Sequence, residues 1–415
     1  MIRTDIIVLG AGIVGTSAAL HLQKRGRSVA LVDRRGVGEE TSYGNTGIIQ
    51  REGVVPYPFP HDLVLMAKYA LNMLPEANLH WRALPRIAPW LYRYWRASTP
   101  ARIAATARAM RPLVERCIAE HEALMQEAGI AGALRRTGYL KVYRSAQALA
   151  AARAKDEHDH AVYGVKFEAA DGGTLSALEP HLESAALAGG TLMPEPASVA
   201  DPAGMVRAYA GLLEERGGRV LRGDAQTLQR VGGVWSVATN QGPIEAPLAV
   251  LAMGPWSDDA FRRLGYRFPF GVKRGYHMHY KPAGNAALSR PVIDAENGYV
   301  LTPTVRGIRL TTGAEFALRD APATPAQLDR AEPLAREIFP LGERVDASPW
   351  LGRRPCLPDM LPIVGPAPGQ EGLWFDFGHH HLGLTLGPVT GRLLAEMMTG
   401  EAPFTDPAPY RAERF

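Results

Sequence analysis

The sequence predicts a two-lobed α/β (α+β) protein, in which an α/β lobe is joined to a second, mostly antiparallel lobe. The chain has 415 residues, of which 46% are hydrophobic, enough for two lobes or for one fold with a large insertion. Segments with strand and helix periodicity alternate along nearly the whole chain. The first thirty-odd residues read as a strand, a glycine-rich turn, a helix and a second strand.

The composition narrows the class of protein. The two cysteines, Cys117 and Cys356, form no disulfide framework and show no metal-ligand spacing, so we expect a reducing compartment and no metal site. The net charge of +4 suits anionic ligands and is weak support for nucleic acid, which we do not expect as a partner. No run reaches the roughly eighteen apolar residues of a membrane span, and the start MIRTDIIVLGAG lacks a secretory signal, which favours a cytoplasmic protein.

The N-terminal unit carries the strongest single motif. Residues 5–9 predict a buried strand, 16–25 a helix, and 28–32 a second strand that ends at Asp33. Between the first strand and the helix lies GAGIVG, residues 10–15, which matches GxGxxG in its proper context. The unit therefore predicts a dinucleotide site.

Each glycine of that motif has a physical role. Gly10 permits a tight turn, Gly12 lets the backbone approach a pyrophosphate, and Gly15 lets the helix lie close to the strand. Asp33 can accept hydrogen bonds from ribose hydroxyls and would repel a 2′-phosphate, although Arg34 softens that argument. On these residues alone NAD and FAD both remain open.

The middle of the chain predicts a helical insertion at residues 56–135. Eight prolines divide its first part into short helices, and a longer helix pattern follows at 101–127. Tryptophan and tyrosine alternate with arginine around residues 81–96. This pattern is typical of helix packing with arginines that reach solvent, or of peripheral contact with the inner face of the cytoplasmic membrane.

The rest of the chain predicts further strands and helices. Strands are expected at 138–143, 219–221, 234–239, 246–252, 276–280, 299–302 and 308–311, and helices at 146–160, 201–215, 325–338 and 384–398.

Four further segments, in order, carry a resemblance. They are ETSYGNTG at 40–47, VLAMGPWS at 250–257, RRPCLPDMLPIVG at 353–365 and GHHHLGLT at 378–385. Together with the glycine motif they resemble the D-amino-acid oxidase/dehydrogenase superfamily, which includes glycine oxidase and sarcosine oxidase. The layout of residues 56–135 is most similar to that of bacterial D-amino-acid dehydrogenases.

The resemblance implies a Rossmann-like FAD-binding domain and non-covalent FAD. It implies an FAD-binding domain at 1–55, 200–262 and 345–415, and a substrate-binding domain at 56–199 and 263–344. The residues implied in FAD contacts are Gly10, Gly12, Ile13, Val14, Gly15, Asp33, Arg34, Ser42, Asn45, Gly47, Ile48, Ala225, Gly254, Trp256, Gly378, His379, His380, Leu382, Gly383, Leu384 and Thr385. The N-terminus of the last helix is suited to face the flavin and stabilise negative charge there.

The substrate residues are expected near the resembling C-terminal segments. Arg354 is the expected carboxylate ligand, with Arg353 as the neighbour that could be confused with it, because a fixed fork of donors suits a carboxylate. Tyr276 or His277 is expected to orient the substrate, and a strand would turn only one of them inward. His381 is a further candidate.

The expected function is oxidative deamination of an amino acid, a D-amino acid or a cyclic imino acid such as D-proline or hydroxyproline. Electrons would pass to a quinone or an electron-transfer protein. The open alternatives are an oxygen-using oxidase of sarcosine-like amines and, more distantly, an NAD-dependent dehydrogenase.

Overall fold

The computed structural model describes residues 2–415. Residue 1, the first residue of the predicted FAD-binding segment 1–55, lies outside the described residues. The helices are α1 (Ile13–Gln23), α2 (Leu63–Ala70), α3 (Leu84–Ala97), α4 (Pro100–Glu127), α5 (Ala146–Tyr163), α6 (Gly172–Leu178), α7 (Pro202–Glu215), α8 (Ser257–Arg263), α9 (Ala326–Ile338) and α10 (Gly383–Thr399).

The strands are short and numerous. They are β1 (Ile2–Arg3), β2 (Ile6–Leu9), β3 (Val29–Asp33), β4 (Ile48–Ile49), β5 (Ala77–Leu79), β6 (Leu134–Arg135), β7 (Tyr139–Tyr143), β8 (Glu168–Ala170), β9 (Gly189–Met193), β10 (Ala197–Val199), β11 (Arg219–Val231), β12 (Val234–Thr239), β13 (Ile244–Ala246), β14 (Leu248–Leu251), β15 (Gly271–Pro282), β16 (Val292–Asp294), β17 (Tyr299–Thr304), β18 (Gly307–Thr311), β19 (Ala314–Phe316), β20 (Leu341–Arg344), β21 (Trp350–Cys356), β22 (Ile363–Pro366) and β23 (Leu373–Phe377).

The first lobe is built on a nine-stranded sheet in the order β1-β13-β12-β11-β3-β2-β14-β23-β22. Its centre, from β11 to β23, is parallel, as a sheet buried on both faces should be. Side chains of β2 alternate between two cores: Ile6 and Val8 pack under α1 and α10, and Ile7 and Leu9 pack on the opposite face. The parallel centre places the carboxyl ends of its strands at one edge of the sheet.

The second lobe is built on an eleven-stranded, mostly antiparallel sheet. Its long strand β15 pairs with β18, β19, β20 and β21, all antiparallel. One face of β15 contributes Tyr276, Met278 and Tyr280 to a core that α9 covers. A three-stranded sheet, β4-β10-β6, lies apart from the two large sheets. The mixed α/β class and the antiparallel second lobe agree with the prediction.

The predicted domain limits stay a prediction, and two elements cross between the lobes that they define. Strand β21 falls within the predicted nucleotide segment 345–415, but it pairs along its whole length with β15 and so belongs to the second sheet. Helix α4 falls within the predicted insertion 56–135, but its Leu113, Val114 and Cys117 are fully buried in the core of the first lobe. Strand pairing and packing between residues far apart in the sequence decide to which lobe β21 and α4 belong, whatever their position along the chain.

Candidate active site

A large cavity of about 1170 Å³ takes its walls from both lobes. This volume exceeds the roughly 300–1,000 Å³ of most small-molecule pockets, and so has room for a dinucleotide and a second ligand. One end, which we call the nucleotide end, is lined by the glycine turn, Asp33 and the loop after β14. The other, which we call the substrate end, is lined by β15, β21 and the loop before α10.

The glycine turn forms a cradle that side chains would fill. Gly10 has φ +107°, and a Cβ there would lie 2.4 Å from the carbonyl oxygen of Ala252. A Cβ on Gly15 would lie 1.9 Å from the carbonyl oxygen of Gly10, and one on Gly12 would lie 3.3 Å from Ser42 Oγ. The first two positions therefore require glycine, and the third is close-fitting.

The polar groups around this cradle are held in place by backbone amides. Asp33 Oδ2 accepts from the Ala11 amide at 2.8 Å, and Oδ1 accepts from the Arg35 amide at 2.8 Å. Ser42 Oγ accepts from the Ile13 amide at 3.0 Å, which leaves its own proton free to donate. These contacts orient a carboxylate and a hydroxyl beside the N-terminus of α1, where an anion is favoured.

The far part of the nucleotide end is aromatic and cationic. The guanidinium of Arg34 lies 4.3 Å from the ring centroid of Trp256, and that of Arg353 lies 5.7 Å from it. Ala225 lines the cavity where β11 shifts register against β12. Gly254, with φ +52°, begins the turn that carries Trp256.

The three consecutive histidines have three different surroundings. His379 Nε2 lies 2.9 Å from Thr390 Oγ1 and 3.3 Å from Asp376 Oδ1, so its ring is held inside the protein. His380 has φ +56°, and both of its ring nitrogens are buried with no hydrogen-bond partner in the described part of the chain. His381 lines the cavity with its ring centroid 5.3 Å from that of Tyr57. Burial lowers the pKa of His381 to about 3, with nearby cations adding to the effect, so the imidazole is neutral.

At the substrate end, Arg354 presents a rigidly held cation. Its Nη1 donates to the carbonyls of Arg274 at 3.4 Å and Gly313 at 2.7 Å, and its Nη2 donates to that of Thr312 at 3.1 Å. Nε–H and one Nη2–H remain for a ligand, since a guanidinium has five N–H donors. Within residues 2–415 no carboxylate lies within 4.0 Å of it.

Several predicted site residues do not line the cavity: Gly15, Gly47, Gly378, Thr385 and His277. Gly47 is needed for its φ of +82° and for the 2.2 Å approach of a Cβ to Val199 O. A Cβ on Gly378 would lie 2.6 Å from Leu357. Thr385 Oγ1 accepts from the Gln50 amide at 3.0 Å. Direct ligand contacts at these five residues stay predictions; in the structure Gly47 and Gly378 shape the backbone behind the wall, and Thr385 binds that backbone.

The orienting roles of Tyr276 and His277 stay predictions: Tyr276 lines the cavity and His277 does not. The Tyr276 hydroxyl donates to Glu315 at 3.0 Å and accepts from the Thr324 amide at 2.8 Å, so it is already satisfied. The His277 ring stacks on Trp350 with centroids 4.8 Å apart, and burial lowers its pKa to about 2. The side chain of β15 that does line the substrate end with a free charge is Lys273.

Sequence reasoning also missed a carboxyl group in the wall. Glu52 lines the cavity and accepts from the Tyr139 hydroxyl at 2.9 Å through Oε1, while Oε2 is buried and has no hydrogen-bond partner among residues 2–415. Burial raises the pKa of Glu52 from its ordinary 4.5 to about 7. No motif marks this residue, which follows β4 in an irregular loop.

Comparison with known proteins decides the family. A family model described as FAD dependent oxidoreductase (DAO) matches residues 5–397. The chain belongs to this DAO family. It is 30% identical to a D-amino-acid oxidase of Bradyrhizobium diazoefficiens, over 99% of this chain and 98% of the relative. It is 32% identical to a D-amino acid dehydrogenase of Cereibacter sphaeroides, over 99% and 95%.

Solved structures agree on the DAO fold. Glycine oxidase from Geobacillus kaustophilus matches with a TM-score of 0.75 and 21% identity, over 100% of both chains. An L-amino acid deaminase from Proteus vulgaris matches with a TM-score of 0.71 and 21% identity, over 100% of this chain and 94% of the other. The protein is thus an FAD-dependent oxidoreductase, and the NAD alternative is set aside.

The residues at the nucleotide end fit FAD. The glycine cradle and the start of α1 suit the pyrophosphate, Asp33 suits a ribose, and the cavity continues from there to the N-terminus of α10. No side chain caps α10, and its first residues Gly383 and Leu384 line the cavity. A helix start of this kind stabilises negative charge. The glycine turn, Asp33 and the start of α10 would therefore hold FAD along the cavity.

Proposed function

We propose that this DAO-family enzyme oxidatively deaminates an amino acid, either a D-amino acid or a cyclic imino acid such as D-proline or its hydroxylated form. The observation that carries the proposal is Arg354, a cavity-lining guanidinium with two free N–H donors and no acidic partner in the described chain. A planar fork of this kind suits the carboxylate that all amino acids share.

The chain's own residues would mainly bind and orient. FAD, when bound, supplies the two-electron oxidant for the Cα–N bond of an amine. Arg354 fixes the carboxylate and with it the position of the amine. His381 stays neutral, so it can contact the amine without repelling a cation. Two electrons and two protons leave the substrate and form an imine. Water then converts the imine of an amino acid to the oxo acid and ammonia, whereas the cyclic imine from an imino acid opens with water to an amino oxo acid and releases no ammonia.

The deciding experiment is an anaerobic panel of D-amino acids, L-amino acids and N-methylated glycines, scored by bleaching of the flavin absorbance. We expect D-amino acids or cyclic imino acids to bleach it. If N-methylated glycines alone do so, the sarcosine-like alternative replaces the proposal. If no amine or amino acid bleaches a fully FAD-loaded sample, amine oxidation itself is wrong.

We also propose that FAD is held without a covalent bond. The cysteines Cys117 and Cys356 are buried, and the Cys356 thiol lies 3.4 Å from the carbonyl oxygen of its neighbour Arg354. Acid precipitation of the protein should leave all flavin in the supernatant. Yellow colour that remains in the pellet would contradict this proposal.

We further propose a peripheral contact with an anionic membrane surface, from which a quinone could accept the electrons. Helix α2 is apolar yet has no buried residue, with Leu63 79% and Val64 66% exposed. Exposed arginines on and beside α3, with no acidic partner within residues 2–415, lie nearby in the chain: Arg82, Arg86, Arg93 and Arg96. None of the helices in the described chain has the length and hydropathy to cross a bilayer.

Vesicle co-sedimentation tests the membrane contact. A large fraction of the protein should sediment with vesicles that contain phosphatidylglycerol, and a much smaller fraction with vesicles of phosphatidylcholine alone. Replacing Leu63 and Val64 together by Asp should abolish sedimentation. Equal binding to both vesicle types, or full binding by the double variant, would overturn the contact.

A further inference from the structure

Most of the cationic side chains that line the cavity are paired with a carboxylate. Its Lys and Arg side chains are Arg34, Lys141, Lys155, Lys273, Arg353 and Arg354. Four have an acidic partner within 4.0 Å, which are Glu40, Asp156, Asp159 and Asp320 for Arg34, Lys141, Lys155 and Arg353. Among residues 2–415, Lys273 and Arg354 have none. The two unpaired cations are also neighbours.

Strand pairing places these two cations on one face. Lys273 on β15 lies directly opposite Arg354 on the antiparallel strand β21. Side chains of such a pair project from the same face of a sheet, with Cβ atoms about 4.5–5.5 Å apart. Both line the cavity, so both project toward the substrate end.

Lys273 is enclosed by aromatic rings and keeps free donors. Its Nζ donates to Tyr94 Oη at 2.9 Å and lies 4.1 Å from the centroid of that ring, with Trp90 and Phe316 within 5.8 Å. The Tyr94 hydroxyl donates to Tyr57 O at 2.6 Å, which holds the Tyr94 ring in place beside Lys273. Two of the three ammonium protons remain for a ligand.

An ammonium in this place is costly without a counter-charge. Burial lowers the pKa of Lys273 to about 8, with Arg354 adding to the effect. An aliphatic side chain would fill the same space between the aromatic rings without the cost of desolvating a charge. A lysine between these rings, beside Arg354 and with two free N–H donors, therefore suits an anionic group that arrives with a ligand.

We infer that Lys273 binds a second carboxylate of the substrate, so that the preferred substrates are acidic amino acids or amines with two carboxylate arms. This inference rests on the proposed function, in which Arg354 holds the first carboxylate. The second carboxylate lies toward Tyr94 and Trp90, and the two cations set the distance between the charged groups of the substrate.

The test compares pairs of substrates that differ in one charge: glutamate against glutamine, in both enantiomers, and iminodiacetate against its monoamide. The FAD-loaded enzyme is reduced anaerobically, and kcat/KM is measured for each. We expect the acidic member to be favoured by roughly tenfold or more, as for a desolvated charge pair. In K273M the ratio of kcat/KM for the acidic member to that for the neutral member should fall to about one. K273R should keep most of the preference for the acidic member.

A binding measurement separates recognition from turnover. Glutarate should perturb the flavin absorbance of the resting enzyme at a lower concentration than its monoamide, and K273M should remove the difference. K281M, a lysine on the exposed end of the same strand and paired with Glu343 at 3.4 Å, is the matched control.

The outcomes are distinct. If neutral amino acids reduce the flavin as well as acidic ones do, the proposed function stands and the inference about Lys273 is wrong. Equal losses for both members of a pair in K273M also overturn it. If no amino acid reduces the flavin, the proposed function fails first. The substrate comparison needs no variant, so misfolding of K273M would not leave the inference untested.

Discussion

The two ends of the cavity are made from different chemical parts of the chain. At the nucleotide end the main groups are backbone atoms from the contiguous turn at residues 10–15, and a Cβ at Gly10 or Gly15 would collide with a carbonyl. At the substrate end the main groups are side chains, Arg354 and Lys273, on strands about eighty residues apart in the sequence. A side chain at Gly10 or Gly15 would therefore disturb the backbone of the first end, whereas a single substitution at the second end would change the charge offered to a ligand.

The largest expected effect is loss of the cofactor from Gly15→Ala. Its Cβ would lie 1.9 Å from Gly10 O, so α1 must move away from the turn that it supports. We expect FAD affinity to fall about 100-fold or more, as overpacking at a rigid contact predicts. Reconstitution of apoprotein, followed by flavin fluorescence, measures it.

The control for that variant is Gly211→Ala in α7, because nothing lies within 4 Å of a Cβ there. It should bind FAD as the parent does. Normal FAD affinity in Gly15→Ala would contradict the contrast between the two ends of the cavity, because it would mean that the nucleotide end also accommodates a new side chain.

The next effect is on substrate binding, from Arg354→Lys. A lysine cannot offer the fork of donors, so KM for carboxylate substrates should rise by roughly 30- to 100-fold while FAD is retained. Arg353→Lys is the neighbouring control: Arg353 Nε donates to Arg319 O at 3.0 Å, and KM should change far less. Steady-state kinetics decide between them. An unchanged KM in Arg354→Lys would remove this residue from the site.

The smallest effect is on stability and its pH dependence, from Glu52→Gln. The unfolded chain loses the Glu52 proton near pH 4.5 and the folded chain near pH 7. The stabilisation relative to an ordinary glutamate is therefore complete below pH 4.5 and is lost as pH rises toward 7. The melting temperature of wild type minus that of the variant should fall over this window, whereas a flat difference would show that Glu52 has an ordinary pKa.

The nucleotide end was largely predictable from the sequence because its determinants are local. The turn at residues 10–15, the strand before it and Asp33 follow one another in thirty residues. Helix limits were also close: the pattern at 101–127 corresponds to Pro100–Glu127, and that at 384–398 to Gly383–Thr399. Local periodicity and proline or glycine signals suffice for such elements.

The substrate end was predictable only in part, because register and packing over long distances decide it. Arg354 was identified through the resemblance, but nothing local reveals that Lys273 lies opposite it. Alternation along β15 predicts that the side chains of Tyr276 and His277 face opposite ways. It does not reveal that the Tyr276 hydroxyl is hydrogen-bonded to Glu315, or that the His277 ring is stacked on Trp350. Glu52 shows the same limit, since its raised pKa depends on burial beside Tyr139.

The position of β14 between β2 and β23 bears on how the enzyme is made. Strands β2 and β14 can pair once residue 251 has been translated, but β23 covers the other edge of β14 only after residues 373–377 have followed. Until then the nascent chain exposes an unpaired parallel edge, and it lacks α10, whose start completes the cavity wall. Loading of FAD therefore belongs at the end of translation, and truncation shortly before β23 should yield an aggregating chain without flavin.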